Sequence, residues 1–224
     1  MDQFYFDGQN YLNIIQYNNK KLYFFNDKLH RDDGPALIEY FENKSIKKEI
    51  YFFNNNIHRD DGPAFIEYFE NGSTERIIFY NHGLKHNLKN PAYIDYHYNN
   101  VVHRKLYYKN DKLHREDGPA RVWYFDNKNY NFIEYYYNDL KHREGNIPAR
   151  YEYNSYGTIF KEIYYKNNKL HREDGPAIII YYGNKIYNKT YYYNNTQFNP
   201  TNLPFSLPIN TKEKELFLYF KFGF

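Results

Sequence analysis

Residues 29–40 read LHRDDGPALIEY, and nearly the same words return as IHRDDGPAFIEY from Ile57, LHREDGPARVWY from Leu113 and LHREDGPAIIIY from Leu170. His-Arg-Asp marks a catalytic loop in protein kinases. A kinase, however, also needs a Gly-rich phosphate loop, a strand lysine and Asp-Phe-Gly, and none of these occurs in the 224 residues. A catalytic site is needed once. A phrase written four times points to a structural repeat.

Aligned on His30, His58, His86, His114, His142 and His171, the intervals are 28 four times and then 29, because HREGNIPA at 142–149 carries one residue more than HREDGPA. A fixed period in the range of ~20–50 residues is the mark of a repeat architecture. After each Pro comes Ala-x-[Ile/Val/Tyr]-x-Tyr, as in Ala36, Ile38, Tyr40 and Ala120, Val122, Tyr124. Period-two alternation sets these three on one strand face. The positions between them (Glu39, Glu67, Asp95, Trp123, Glu152, Ile180) are wetter, so the Ala-Ile-Tyr face is expected to be the core face.

An Asn/Gly turn such as ENKS or ENGS follows, where positive φ is tolerated. A return strand then carries paired aromatics, Tyr51-Phe52 or Tyr107-Tyr108, seven and six residues before the histidine. The position before the pair is Leu22, Ile50, Ile78, Leu106, Glu134 or Ile163. No helical period is sustained. The expected fold is all-β: tandem antiparallel β-hairpin repeats forming an elongated, twisted meander or solenoid sheet, each hairpin leaning on its neighbours. One domain is expected over residues 1–224, with an N-terminal cap at 1–20, about six repeats over 21–198 and a C-terminal cap or tail at 199–224. The tail TKEKELFLYFKFGF reads as a short helix or a last strand covering the open end.

In the connection, Asp-Gly is expected to turn the chain with positive φ at Gly, and Pro to begin the next strand, where no donor is needed. That leaves the His-Arg pairs as a candidate ladder for a ligand or partner: His30, Arg31, His58, Arg59, His114, Arg115, His142, Arg143, His171 and Arg172. Arginine forks suit phosphate or carboxylate, but acidic neighbours one and two residues away can take their charge. His-x-x-Asp is a weak metal pattern, since structural zinc wants four convergent ligands and the intervening Arg repels a cation. No catalytic residue, cofactor or metal ligand is assigned. Arg115→Ala is expected to matter little for folding, and Tyr124→Ala to destabilise strongly. Repeat three, KHNLKNPAYIDY, has lost Arg, both acids and Gly yet keeps the strand pattern, as a structural repeat tolerates.

The 30 basic and 27 acidic residues are interspersed, and a net charge of +3 lacks the footprint of a nucleic-acid binder. With no cysteine, disulfides and thiolate chemistry are excluded, and the chain suits a reducing compartment. MDQFYFDGQNY is no secretory signal, and no apolar run approaches the ~20 residues of a membrane helix. The 30 Tyr and 19 Phe offer too much aromatic surface for disorder, and exposed Tyr rows could form a stacking platform.

The pattern Y-x-x-N-G/N … Y-Y-x-N-x-x-L resembles the MORN-repeat variant family of short β-hairpin units over roughly residues 17–195. The LHREDGPA connection resembles repeat proteins of amoeba-infecting giant viruses. The resemblance implies a non-enzymatic scaffold with a protein partner, or self-association through the sheet ends or the Phe-rich tail. The location it implies is cytoplasmic: host cytoplasm or virion. The alternative expectation is a carbohydrate- or anionic-ligand-binding module using the Tyr rows and the His-Arg ladder.

Overall fold

The structure is a computed structural model in which residues 3–7, 10–125 and 129–199 are described, with side chains from residue 13 onward. The C-terminal tail read above as a cap lies outside these residues. Sixteen strands follow one another in a single antiparallel meander, from Gln3–Asp7 to Thr196–Phe198. The first pairs only with Asn10–Tyr17 and the last only with Lys185–Tyr193, so the sheet does not close into a barrel. The described residues contain no helix.

One unit shows how the sequence builds this. Leu37–Tyr40 pairs with Ile46–Ile50 across a turn in which Lys44 adopts φ 68°. There the Phe41 carbonyl accepts from Lys44 N–H at 3.0 Å, and Asn43 Oδ1 accepts from Ser45 N–H at 2.9 Å. Just before the turn the register shifts by one residue, a bulge that recurs at every such hairpin from Tyr40 to Tyr181. The return strand does not run through the aromatic pair, as the sequence suggested. It stops at Ile50, and Phe52–Phe53 forms a separate two-residue hairpin with Asn56–Ile57. Tyr51 is the pivot: its N–H donates to Ala64 and its carbonyl accepts from His58 N–H, at 2.8 and 3.1 Å.

The small hairpins turn on Asn54-Asn55, Asn110-Asp111, Asn138-Asp139 and their equivalents, both residues of each pair having positive φ. That is the type I′ geometry that Asn and Asp tolerate best. The second turn residue also ties two repeats together. Asn55 N–H donates to the Leu29 carbonyl at 2.9 Å, while its Oδ1 accepts from Leu29 N–H at 2.7 Å. Asp139 grips Leu113 in the same reciprocal way at 2.9 and 2.7 Å, and Asn195 grips Leu170. Each unit is thus held by its neighbour through sheet pairing and through this clamp, the nearest-neighbour coupling of a repeat protein.

The sheet is not one-sided, contrary to the expectation from alternation. Alanines 36, 64, 92, 120, 149 and 177 are fully buried, and Ile38, Val122, Ile133 and Ile179 of the same face are buried too. Yet Ile78, Tyr93, Leu106 and Ile163, on the face that looked wet, are equally buried. The acids of that face are covered because they form a cross-strand ladder with bases: Glu39–Lys48–Glu67–Arg76–Asp95–Arg104 run in register. Lys48 lies 3.7 and 3.6 Å from Glu39 and Glu67, and Arg104 Nε lies 2.5 Å from Asp95. Opposite charges directly across strands stabilise a sheet, so acidic letters at alternate positions do not mean a solvated face here.

Candidate functional site

The connections from His-Arg to Ala form one long edge of the sheet, and the ten ladder residues sit there in register. Four of the five ladder histidines are held from two sides, while His142 is held through Nε2 alone, 2.9 Å from Glu144. His30 Nδ1 accepts from Asn54 N–H at 3.2 Å, and Nε2 lies 3.0 Å from Asp32 Oδ1. Because Nδ1 accepts, the proton sits on Nε2 and is donated to the carboxylate. His114 repeats this with Asn138 N–H and Glu116, and His171 with Asn194 N–H and Glu173. His58 also accepts from the next small hairpin and stacks on His82 at 4.1 Å between centroids. Burial pushes the His171 imidazole below its ordinary pKa, only partly opposed by Glu173. The histidines are therefore repeat-to-repeat fasteners, with both ring nitrogens occupied in most copies.

The arginines fold back onto their own units. The guanidinium carbons of Arg31, Arg59, Arg115, Arg143 and Arg172 lie 4.2, 4.1, 4.0, 3.9 and 3.9 Å from the ring centres of Tyr23, Tyr51, Tyr107, Tyr135 and Tyr164. Nε of the first three donates to Asp33, Asp61 and Asp117 at 2.6, 2.6 and 2.7 Å. That hydrogen bond holds those three carboxyls below their usual range. Arg172 Nε instead donates to both Asn146 Oδ1 at 2.7 Å and Asp174 Oδ1 at 3.3 Å. The additional residue in HREGNIPA is thereby explained: its loop, with Gly145 at φ 79°, delivers Asn146 to the next connection, where Nδ2 also donates to Asp174.

The glycine of Asp-Gly-Pro has a different role from the one its turn signature suggested. Gly34, Gly62, Gly118 and Gly175 are not among the residues with positive φ. A Cβ on Gly118 would stand 3.0 Å from Arg115 Cζ, and the other three glycines face their arginines equally closely. Glycine is needed because the guanidinium lies against its Cα while covering the tyrosine. Repeat three is consistent with this, having lost Arg and Gly together (Asn87 and Asn90) with Phe79 in place of the tyrosine.

These contacts also revise the expectation for Arg115→Ala, which removes a cation–π contact and a charge-assisted hydrogen bond. A loss of about 1–2 kcal/mol is expected in urea denaturation. Gly118→Ala alone should destabilise by about 1 kcal/mol by displacing the guanidinium, but in the Arg115→Ala background it should be neutral or stabilising. Additive effects of the two substitutions would show that the close approach is not why glycine stands there.

With Arg turned inward, the outward charge of the edge is negative. The side chains of Asp32, Asp60 and Glu144 are 87%, 95% and 95% exposed, against 23% and 25% for Arg31 and Arg59. Shallow clefts open between successive connections; one, of about 830 Å³, lies between Arg115–Gly118 and His142–Glu144. Among the described residues, no group of three His, Asp or Glu side chains is placed to hold a metal ion, and no helix is long and apolar enough to cross a membrane.

Sequence reasoning passed over a site within the sheet where the repetition breaks. Glu134 is fully buried. Lys141 Nζ lies 2.6 Å, Arg150 Nη1 2.7 Å, Arg121 Nη1 3.1 Å and the Tyr136 hydroxyl 3.2 Å from its carboxylate. Burial alone would push the Glu134 carboxyl up, but Lys141, Arg150 and Arg121 more than offset it, so its pKa lies below the usual range. The signal was visible as a lone Glu in a column of Leu and Ile, with Arg121 and Arg150 in the column of Leu37, Phe65, Tyr93 and Ile178.

Fold and edge together define an all-β tandem hairpin-repeat protein. No protein-family model matches the chain, and no curated protein matches it at a significant level.

Proposed function

We propose that this chain is a non-enzymatic repeat scaffold that docks a protein partner along its connection edge, and that the contacting surface of the partner is basic. The observation that supports this is the division of labour within each connection. His is consumed in holding repeats together and Arg in covering the tyrosine of its own unit, while Asp32, Asp60, Glu116 and Glu144 beside them stand outward. A periodic row of like charge favours encounter with an opposite surface and fixes its register. The resemblance to MORN-type hairpin repeats points the same way, and a host-cytoplasm or virion setting fits a chain without cysteine.

The test uses Asp32→Asn, Asp60→Asn, Glu116→Gln and Glu144→Gln combined, since an amide oxygen still accepts the histidine proton while the charge is removed. Binding of a fluorescent lysine-rich peptide at low salt should weaken about tenfold or more, and its salt dependence should flatten. Unchanged affinity and salt slope would remove the edge from consideration.

A second reading rests on the row Tyr40, Tyr68, Tyr96, Tyr124, Tyr153 and Tyr181 on one face, where Tyr130 bridges Tyr124 and Tyr153 at 5.4 and 5.5 Å. Such a row could stack sugar rings. Tyrosine fluorescence indifferent to oligosaccharides would count against it.

A further inference from the structure

We propose that Arg121, Glu134 and Arg150, closed by Lys141, form a register key that forces nearly interchangeable repeats to pair in one order. The problem it answers is set by the repetition itself. In the first three repeats every first strand carries an acid and every return strand a base in the charged row, as in Glu39–Lys48, Glu67–Arg76 and Asp95–Arg104. The neighbouring row pairs apolar with apolar: Leu37–Ile50, Phe65–Ile78, Tyr93–Leu106. The Arg–Tyr clips recur in every repeat but the third, and the small-hairpin clamps recur as well. Looping out one unit, or exchanging a unit with a second copy of the chain, therefore leaves nearly every pair matched. Exchange of this kind is a characteristic failure of repeat proteins.

At one place both rows change character together. The apolar row becomes ionic at Arg121–Glu134–Arg150, with the base now on the first strands and the acid on the return strand. The ionic row becomes apolar at Trp123–Phe132, whose rings lie 5.0 Å apart. Moved to any other first strand, Glu134 would face Leu37, Phe65, Tyr93 or Ile178 and stay buried without its arginines, keeping only Lys141 of its own unit. Arg121 faces Leu106 on its other side, so against another return strand it would face Ile50, Ile78 or Ile163 there as well and lose its acid. Buried charges tolerate only the pairing that satisfies them, and setting register is the best attested use of such groups. The key lies between the fourth and fifth repeats, and strands on both sides of it inherit their order by nearest-neighbour pairing.

The test copies the neighbouring repeats into the key: Arg121→Phe, Glu134→Ile, Lys141→Leu and Arg150→Tyr in one full-length variant. Parent and variant are unfolded in urea and refolded at increasing concentration. They are then compared by circular dichroism and by size-exclusion chromatography with light scattering. The variant should regain the strand spectrum with an equal or higher urea midpoint. Its yield of dimers and larger exchange products should rise about fivefold or more over the parent. A variant that refolds to one species as cleanly as the parent overturns the proposal. So does one that regains no strand structure, because the cluster would then be needed for stability rather than for selecting the pairing.

Discussion

Glu134→Ala should lose about 3–5 kcal/mol of stability, the cost of leaving buried charges without their partner. For a domain of ordinary stability, ~5–15 kcal/mol, that is a large fraction of the whole. The carboxylate is the common acceptor of Lys141, Arg150 and Arg121, each within 3.1 Å, and none of the water that would solvate those cations in an unfolded chain reaches the buried carboxylate. The loss should appear as a lower urea midpoint. It should also depend on pH with a definite sign. The folded-state pKa of Glu134 lies below its unfolded value. Its contribution is therefore complete above the ordinary carboxylate range and disappears as pH falls through the depressed value. Parent and Glu134→Ala should differ most near neutrality and converge well below about pH 4. A difference independent of pH would mean that lost packing rather than charge is responsible. The same physics makes the all-apolar replacement tolerable, since removing the whole cluster leaves no charge stranded.

Ala120→Leu is the second large effect, with an expected loss of about 1–3 kcal/mol or more from overpacking. Ala120 is fully buried, and its carbonyl accepts from Tyr107 N–H at 2.8 Å, where the return strand leaves the sheet for the small hairpin. Leu106, Leu113, Tyr93 and Tyr136 pack in the same cluster. A larger side chain must displace the pivot or the neighbouring rings, and every repeat carries alanine at this position. Tyr124→Ala, which the alternation of apolar residues singles out, should be milder than removal of a closed-core tyrosine. Its ring is half-buried on an open sheet face beside Tyr130, although burial still pushes its hydroxyl up to about 12. An Ala120→Leu protein as stable as its parent in thermal melts would show that the pivot has room to spare.

Much of this architecture was legible in the letters. The 28-residue period, the first strand, the Asn/Gly turn and the all-β class follow from spacing and alternation, because strand period and turn chemistry are local properties. The small hairpin was missed although Asn-Asn and Asn-Asp announce it. Two apolar aromatics before such a turn read equally well as the end of a long strand or as an arm of a separate ladder. The covered charged face was missed for a related reason. Glu39 and Lys48 are polar letters in isolation, and only their pairing across strands makes them part of a packed surface.

What the sequence determined by itself is the repeat: its period, where the first strand begins, where the Asn/Gly turn falls, and that six units resemble one another. The tertiary structure decided how the remaining letters are used. The guanidinium of each connection lies on its tyrosine and requires the glycine beneath it, the outward charge of that edge is left to the acids, and Glu134 is surrounded by three cations. Each of these depends on groups brought together by pairing or by the fold of the connection. A one-dimensional pattern records the period of the chain; it does not record which charges meet.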